Sequence, residues 1–235
     1  MTYVLHYAPD NASLIIRLAL EEMGLPYRTV LVDRSRAGQH STAYRALNPA
    51  GLIPVLETPE GPLFETAAIL LWLADRHGTM APAPQAPARG DFLKWLFFTS
   101  NTLHTQLRML FYPDKYVGDD PAARQQLIRT LTRRSTAHMT LPEALGLLDA
   151  RVRDDAPEGI PDVLDYYIAA SLRWCSLYPV GGTAWFDLTE YPALLDLAQR
   201  LETRPAVRAA QAAEGLGPTP FTAPTYANPP EGSAT

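Results

Sequence analysis

The chain has 235 residues, a formal charge of −5, 47% hydrophobic residues and a single cysteine, Cys175. That length buries an adequate core as one large or two modest domains, and one cysteine excludes internal disulfides and any Cys-based zinc site. His6, His40, His77, His104 and His138 show no metal-ligand spacing; the apolar runs, such as Ala67–Ala74, fall far short of the roughly 20 residues of a membrane span; and Arg133-Arg134 reads as a solvated helix face rather than a stripe for nucleic acid. No metal, membrane or nucleic acid is expected, and the opening Met1-Thr2-Tyr3-Val4-Leu5, which lacks a signal peptide's pattern, points to the cytoplasm.

In chain order, Thr2–Tyr7 reads as a short strand. Ser13 precedes the apolar set Ile16, Leu18, Ala19, Leu20 and Met23, a helical pattern that closes at Gly24. Tyr27–Val32 is a second β-branched run, so the opening is a βαβ unit with a parallel pair. Ser41 suits the cap of a short helix through Leu47. The turn cluster Asn48-Pro49-Ala50-Gly51 leads into a strand, Ile53–Glu57, with proline near its start, where a missing donor is tolerated. The turn Pro59-Glu60-Gly61 and the return strand Pro62–Phe64 complete a hairpin, and Thr66 is placed to cap a helix running to Gly78. The order is βαβαββα over residues 1–79.

Residues 80–89, rich in Ala and Pro, cannot continue a helix and read as a semi-rigid linker. Residues 90–217 are helical in pattern, with helices expected from Gly90 to about Tyr116, Pro121 to about Arg153, Asp162 to about Tyr178 and Tyr191 to about Ala213. The tail, residues 218–235, is rich in proline and small residues and reads as loosely ordered.

The element order, the segment Asn48-Pro49-Ala50-Gly51-Leu52-Ile53-Pro54-Val55-Leu56 and the run Glu65-Thr66-Ala67-Ala68-Ile69 together resemble the N-terminal domain of cytosolic glutathione S-transferases. Asp162-Val163-Leu164-Asp165 is similar to the family's helix-capping box, with Asp162 where Ser or Thr is usual. Leu172-Arg173-Trp174 is similar to its bacterial beta class, and Tyr191-Pro192 through Arg204-Pro205-Ala206-Val207 resembles its C-terminal run. The resemblance implies an α/β thioredoxin-like N-terminal domain followed by an all-α C-terminal domain, glutathione as co-substrate, a homodimer, and transfer to a small hydrophobic electrophile in detoxification. Glutathione-dependent disulfide or peroxide reduction, lyase or isomerase chemistry would use the same activated thiol, and a non-catalytic scaffold would use the fold alone. Beta-class members often carry Cys-Ser in the loop after the first strand. Those positions here are Ala12 and Ser13, so a mixed disulfide with glutathione is unavailable there.

Activating glutathione means lowering a thiol pKa of about 8.5 toward neutrality, which a hydroxyl donor and a helix N-terminus both favour. Ser13 reads both as the cap of the first helix and as that donor; Asn11 is the second candidate. The resemblance implies a cis bond before Pro54 and backbone pairing of glutathione with Ile53. It also implies that Glu65 and Thr66, at a helix N-terminus, receive the γ-glutamyl end. His40 is a candidate for the glycyl carboxylate. His104 resembles the beta-class histidine that approaches the sulfur. Arg108, Tyr112 and Tyr116 follow it at four-residue spacing, one helical face that would line the electrophile pocket with Trp174. Cys175 beside Trp174 reads as an inert buried thiol.

Overall fold

A computed structural model describes residues 2–154 and 160–233, so Met1 and the last two residues of the tail lie outside the described residues. Four strands, β1 (Tyr3–Tyr7), β2 (Tyr27–Leu31), β3 (Val55–Thr58) and β4 (Gly61–Phe64), form one sheet in the order β2-β1-β3-β4. The pair β1 and β2 is parallel, with Leu5 opposite Thr29. The strand β3 runs antiparallel to β1 and to β4, with Leu56 opposite Leu5 on one side and Leu63 on the other. With α1 (Ser13–Glu22), α2 (Thr42–Leu47) and α3 (Thr66–His77), this is the βαβαββα order of a thioredoxin-like domain.

Residues 13–20 are all buried because α1 is enclosed by the sheet, α3 and the helical domain, so it is apolar nearly all round rather than striped. The exception is Arg17, whose Nε donates to Glu214 Oε1 at 2.7 Å, while its Nη1 donates to the Tyr27 hydroxyl at 3.1 Å. The residue expected to cap α3, Thr66, is instead its first helical residue. Glu65 holds the cap position at φ 73°, and the helix closes on Gly78 in the left-handed region.

The second half is helical throughout but more broken than its periodicity suggests. The first long helix is α4 (Arg89–Phe98), a π-helical turn (Thr99–His104) and α5 (Thr105–Phe111). It stops at Tyr112 because Pro113 lacks a donor, and a short α6 (Asp114–Val117) restarts at a new angle. The single helix expected from Pro121 to Arg153 is two, α7 (Pro121–Thr132) and α8 (Leu141–Asp154). The helix expected from Tyr191 to Ala213 is likewise two, α10 (Pro192–Glu202) and α11 (Pro205–Glu214), divided at Pro205. Between them, α9 (Val163–Leu177) starts from a complete capping box: Asp162 accepts from Asp165 N–H at 2.9 Å and Asp165 accepts from Asp162 N–H at 3.0 Å. Aspartate thus does what Ser or Thr would do there.

The tail is not loose. Phe221 is fully buried, and Glu202 accepts from the N–H groups of Phe221 and Thr222 and from the Thr222 hydroxyl, each at 2.8 Å. Asn228 N–H donates to Gly215 O at 2.9 Å, and a Cβ on Gly215 would stand 2.0 Å from Asn228 O, so only glycine lets the tail pass. Farther on, Tyr7 donates its hydroxyl proton to Glu231. The reason composition misled is Arg173, which is fully buried. Its Nε and Nη2 clasp the Asp10 carboxylate at 2.8 and 2.9 Å, Nη1 donates to Leu216 O and Pro220 O, both at 3.2 Å, and Nη2 also donates to Thr225 O at 2.9 Å. All five guanidinium N–H groups are satisfied.

Arg173→Met leaves Asp10 charged and buried without its partner, which costs about 3–5 kcal/mol. The midpoint of urea unfolding is expected to fall accordingly, and the double variant D10N/R173M to recover part of the loss. A single variant as stable as the native chain would contradict this account of the knot.

Candidate active site

A cleft of about 620 Å³ lies between the two domains. One wall is built by the start of α1, the loop into β3 and the start of α3. The other is built by α5, the residues after it, and the inner face of α9.

The floor is the loop between β1 and α1. Asp10 sits at φ 49° and its N–H donates to Glu214 Oε2 at 2.8 Å. Its carboxylate holds Arg173 and also accepts from Trp174 Nε1 at 3.2 Å and the Tyr178 hydroxyl at 2.9 Å. With its charge answered, Asp10 acts as a clamp that fixes where α1 begins. Asn11 follows it, its carbonyl accepting from Leu14 N–H at 2.8 Å, and lines the cleft at the positive end of α1.

Ser13 does not. Its hydroxyl donates to Ala8 O at 2.9 Å and accepts from Ala8 N–H at 3.2 Å, and the side chain is fully buried outside the cleft wall. A hydroxyl enclosed at a helix start bonds to the nearest peptide, and that bond consumes the donor a thiolate would need. In this arrangement the Ser13 hydroxyl is engaged by Ala8 and does not face the cleft.

The next wall is the turn before β3. Asn48 Nδ2 and the Tyr44 hydroxyl both donate to Leu52 O, at 2.7 and 2.8 Å, and Ala50 N–H donates to Asn48 Oδ1 at 3.0 Å. Gly51 lies at φ 63° with Gln39 O only 2.9 Å from where a Cβ would be. Ile53 and Pro54, joined by a cis bond, line the cleft beyond it. Glu65 and Thr66 line it at the head of α3, where the positive φ of Glu65, a strain of order 1 kcal/mol or more, turns the chain into the helix. His40 also lines the cleft, exposed, with Nδ1 3.5 Å from Arg45 Nη2.

Across from these, His104 ends the π-helical turn. Its Nδ1 is 2.7 Å from the Tyr167 hydroxyl, and its ring lies tilted on Trp174 with centroids 5.4 Å apart. Burial and then the Arg108 charge push the imidazole pKa down to about 4. Burial and the Glu65 carboxylate push the Tyr167 hydroxyl well above its ordinary range, so it stays protonated. Two neutral groups therefore face each other, and with Tyr167 as donor the imidazole proton resides on Nε2.

The structure brings Arg108, Tyr112 and Trp174 to the cleft but not Tyr116. With the helix ended at Pro113, Tyr116 leaves the face it was expected to share; it sits at the surface and its hydroxyl accepts from Arg108 Nη1 at 3.1 Å. Lys115 enters the wall instead. Arg34, Phe111, Tyr167, Tyr178 and Val180 also line the cleft and were not singled out from sequence. Tyr167, Trp174 and Tyr178 stand seven and four residues apart, a spacing that puts them on one helical face and is legible from Trp174. Arg34 carries no such signal, since it arrives from a 3₁₀ turn (Arg34–Arg36) and donates to the Tyr112 hydroxyl at 2.9 Å across the domain boundary. Cys175 is fully buried, and burial pushes its thiol far above its ordinary pKa.

Residues 12–76 match the family model described as glutathione S-transferase, N-terminal domain. Glutathione S-transferase GstB of Escherichia coli K12 is 35% identical over 197 residues, covering 82% of this chain and 89% of that protein. Glutathione S-transferase GST-4.5 of Xanthomonas campestris is 29% identical over 220 residues, covering 90% of this chain and 98% of its own. A sphingomonad glutathione S-transferase solved in complex with glutathione superposes with a TM-score of 0.69 at 29% identity, covering 91% of this chain and all of that one.

Because the folded-state pKa of His104 lies below the unfolded value of about 6.5, its neutral burial stabilises the fold above that pH, and the contribution is lost as pH falls toward 4. In an NMR titration the His104 ring signal is expected to hold constant from neutral pH down to about 5.5, where exposed histidines have already begun to shift. A midpoint near 6.5 would show the ring to be solvated.

Proposed function

The chain belongs to the glutathione S-transferase family, and from that membership we propose that it is a transferase that binds glutathione in this cleft and conjugates the thiolate to a small electrophile with a hydrophobic body. The observation that carries the reading is the convergence, in one cleft, of the start of α1, the Ile53–Pro54 turn, the start of α3 and the neutral His104. A scaffold that only bound a protein partner has no need of them together.

Each end of glutathione meets complementary chemistry. The backbone at Ile53 pairs with the cysteinyl unit in the manner of an added strand. Thr66 and the N–H groups at the head of α3 take the γ-glutamyl carboxylate, and Glu65 accepts from its ammonium. His40 lies on the side of the glycyl carboxylate. The thiolate rests at the N-terminus of α1 with the Asn11 amide as donor, the role Ser13 has no free hydroxyl to fill. His104, held neutral, hydrogen-bonds at the sulfur or assists the leaving group without adding a charge that would trap the thiolate. The acceptor lies against Trp174, Phe111 and Tyr178. Lowering the thiol pKa by about two units, roughly 2.7 kcal/mol, ionises about three quarters of it at neutral pH.

The reading extends to a cytoplasmic homodimer in a detoxifying role, in which each N-terminal domain packs on the partner's helical domain. Light scattering is expected to give twice the chain mass; a monomer would remove the dimer from the proposal. For the chemistry, the ultraviolet thiolate absorbance of bound glutathione is expected to titrate below neutrality and to move up by about one unit, a tenfold change, in Asn11→Ala. The Ser13→Ala variant is expected to leave that midpoint in place. The reverse pattern would return the donor role to Ser13, and no glutathione binding by calorimetry would sink the transferase reading.

A further inference from the structure

The cleft is more cationic than a hydrophobic acceptor requires. Its wall carries Arg34, Arg108 and Lys115 against Asp10 and Glu65, and Asp10 is already paired to Arg173. On the reading above, the helix starts with Thr66, and His40, serve the two carboxylates of glutathione, and Glu65 serves its ammonium. Nothing in glutathione is left for the two cations on the far wall.

Those two are held in place by aromatic groups rather than by carboxylates. Arg108 Nη1 donates to the Tyr116 hydroxyl at 3.1 Å, with its guanidinium carbon 5.8 Å from that ring's centroid. Lys115 Nζ stands 4.2 Å from the centroid of the Tyr112 ring. Among the described residues neither has an ion-pair partner. An arginine positioned by one N–H and one ring face keeps its remaining donors for a planar anion, which guanidinium binds in a bidentate fork. Arg108 is also one helical turn beyond His104, and both side chains line the cleft.

We propose that the acceptor side of the cleft selects an electrophile that joins an aromatic or apolar body to a carboxylate, with Arg108 as its specificity-determining residue and Lys115 as a second cation. The body lies on Trp174, Phe111 and Val180 while the carboxylate meets Arg108. The inference rests on the transferase reading and narrows its substrate class from hydrophobic to anionic and amphipathic.

The test uses a chlorodinitrobenzene bearing a para carboxylate and its uncharged carboxamide. In both, glutathione loses its thiol proton to solvent, sulfur forms a bond to the chlorine-bearing carbon, and chloride leaves with the electron pair of the broken bond. The kcat/KM for each, divided by its uncatalysed rate with glutathione, is measured for the native chain and for Arg108→Gln, with glutathione affinity measured calorimetrically on the same samples. The native chain is expected to favour the acid by at least tenfold, and R108Q to lose that preference. Equal losses on acid and amide would overturn the proposal and assign Arg108 to the thiolate; no preference in the native chain would overturn it as well. Turnover of neither probe together with no glutathione binding would instead bring down the transferase reading beneath it.

Discussion

The five-fold engagement of Arg173 is the constraint on which the remaining architecture depends. Burying a guanidinium and a carboxylate in an apolar interior carries a desolvation penalty of about several kcal/mol per ion, offset only when geometry is good and every remaining donor is met. Here every donor is met, and the acceptors come from three separate parts of the chain: the loop after β1, the end of α11, and the tail. The knot therefore couples elements whose own contacts are modest. Asp10, held in the left-handed region, sets the point where α1 begins; its N–H passes the constraint to Glu214, which passes it to Arg17 and so to Tyr27 on β2. The start of α1 is thereby tied from both domains, the rigidity that an anion site there would require.

The same knot explains what was and was not legible in the sequence. Strands and helices near the N-terminus follow from local patterns, and the turn Asn48–Gly51 and the Glu65-Thr66 helix start are local devices, so most of that wall of the cleft is legible in the sequence. The tail was misread because composition reports whether a segment can build its own core, whereas Phe221 and its neighbours are captured by partners supplied from elsewhere, Glu202 and Arg173. Helix length was misread wherever a proline stood inside an apolar pattern. Pro113 follows the residue that closes α5, and Pro205 opens α11 rather than continuing α10, although the apolar pattern runs past both.

Ser13 and Tyr116 lie outside the cleft wall for a shared reason. Sequence placed each on the correct element, yet the direction and availability of a side chain depend on what else surrounds it. Ser13 is enclosed and spends its hydroxyl on Ala8; Tyr116 is carried out of register by the break before α6 and ends up supporting Arg108. Conversely, Arg34 enters the cleft through packing between domains, which no local pattern encodes.

What emerges is a division of labour in the electrostatics. The reacting end holds a neutral histidine against a neutral tyrosine, because burial penalises charge on both. The positive potential at that end comes instead from a helix start and from Arg108. On the proposed reading, the neutral pair leaves the ionisation of the bound thiol as the titration that matters. A protonated histidine in the same place would hold the thiolate as an ion pair and lower its nucleophilicity as well as its pKa. On the proposed reading, separating Arg108 from the imidazole by one helical turn would give an anionic acceptor its anchor while leaving the imidazole free to act at the bond that changes.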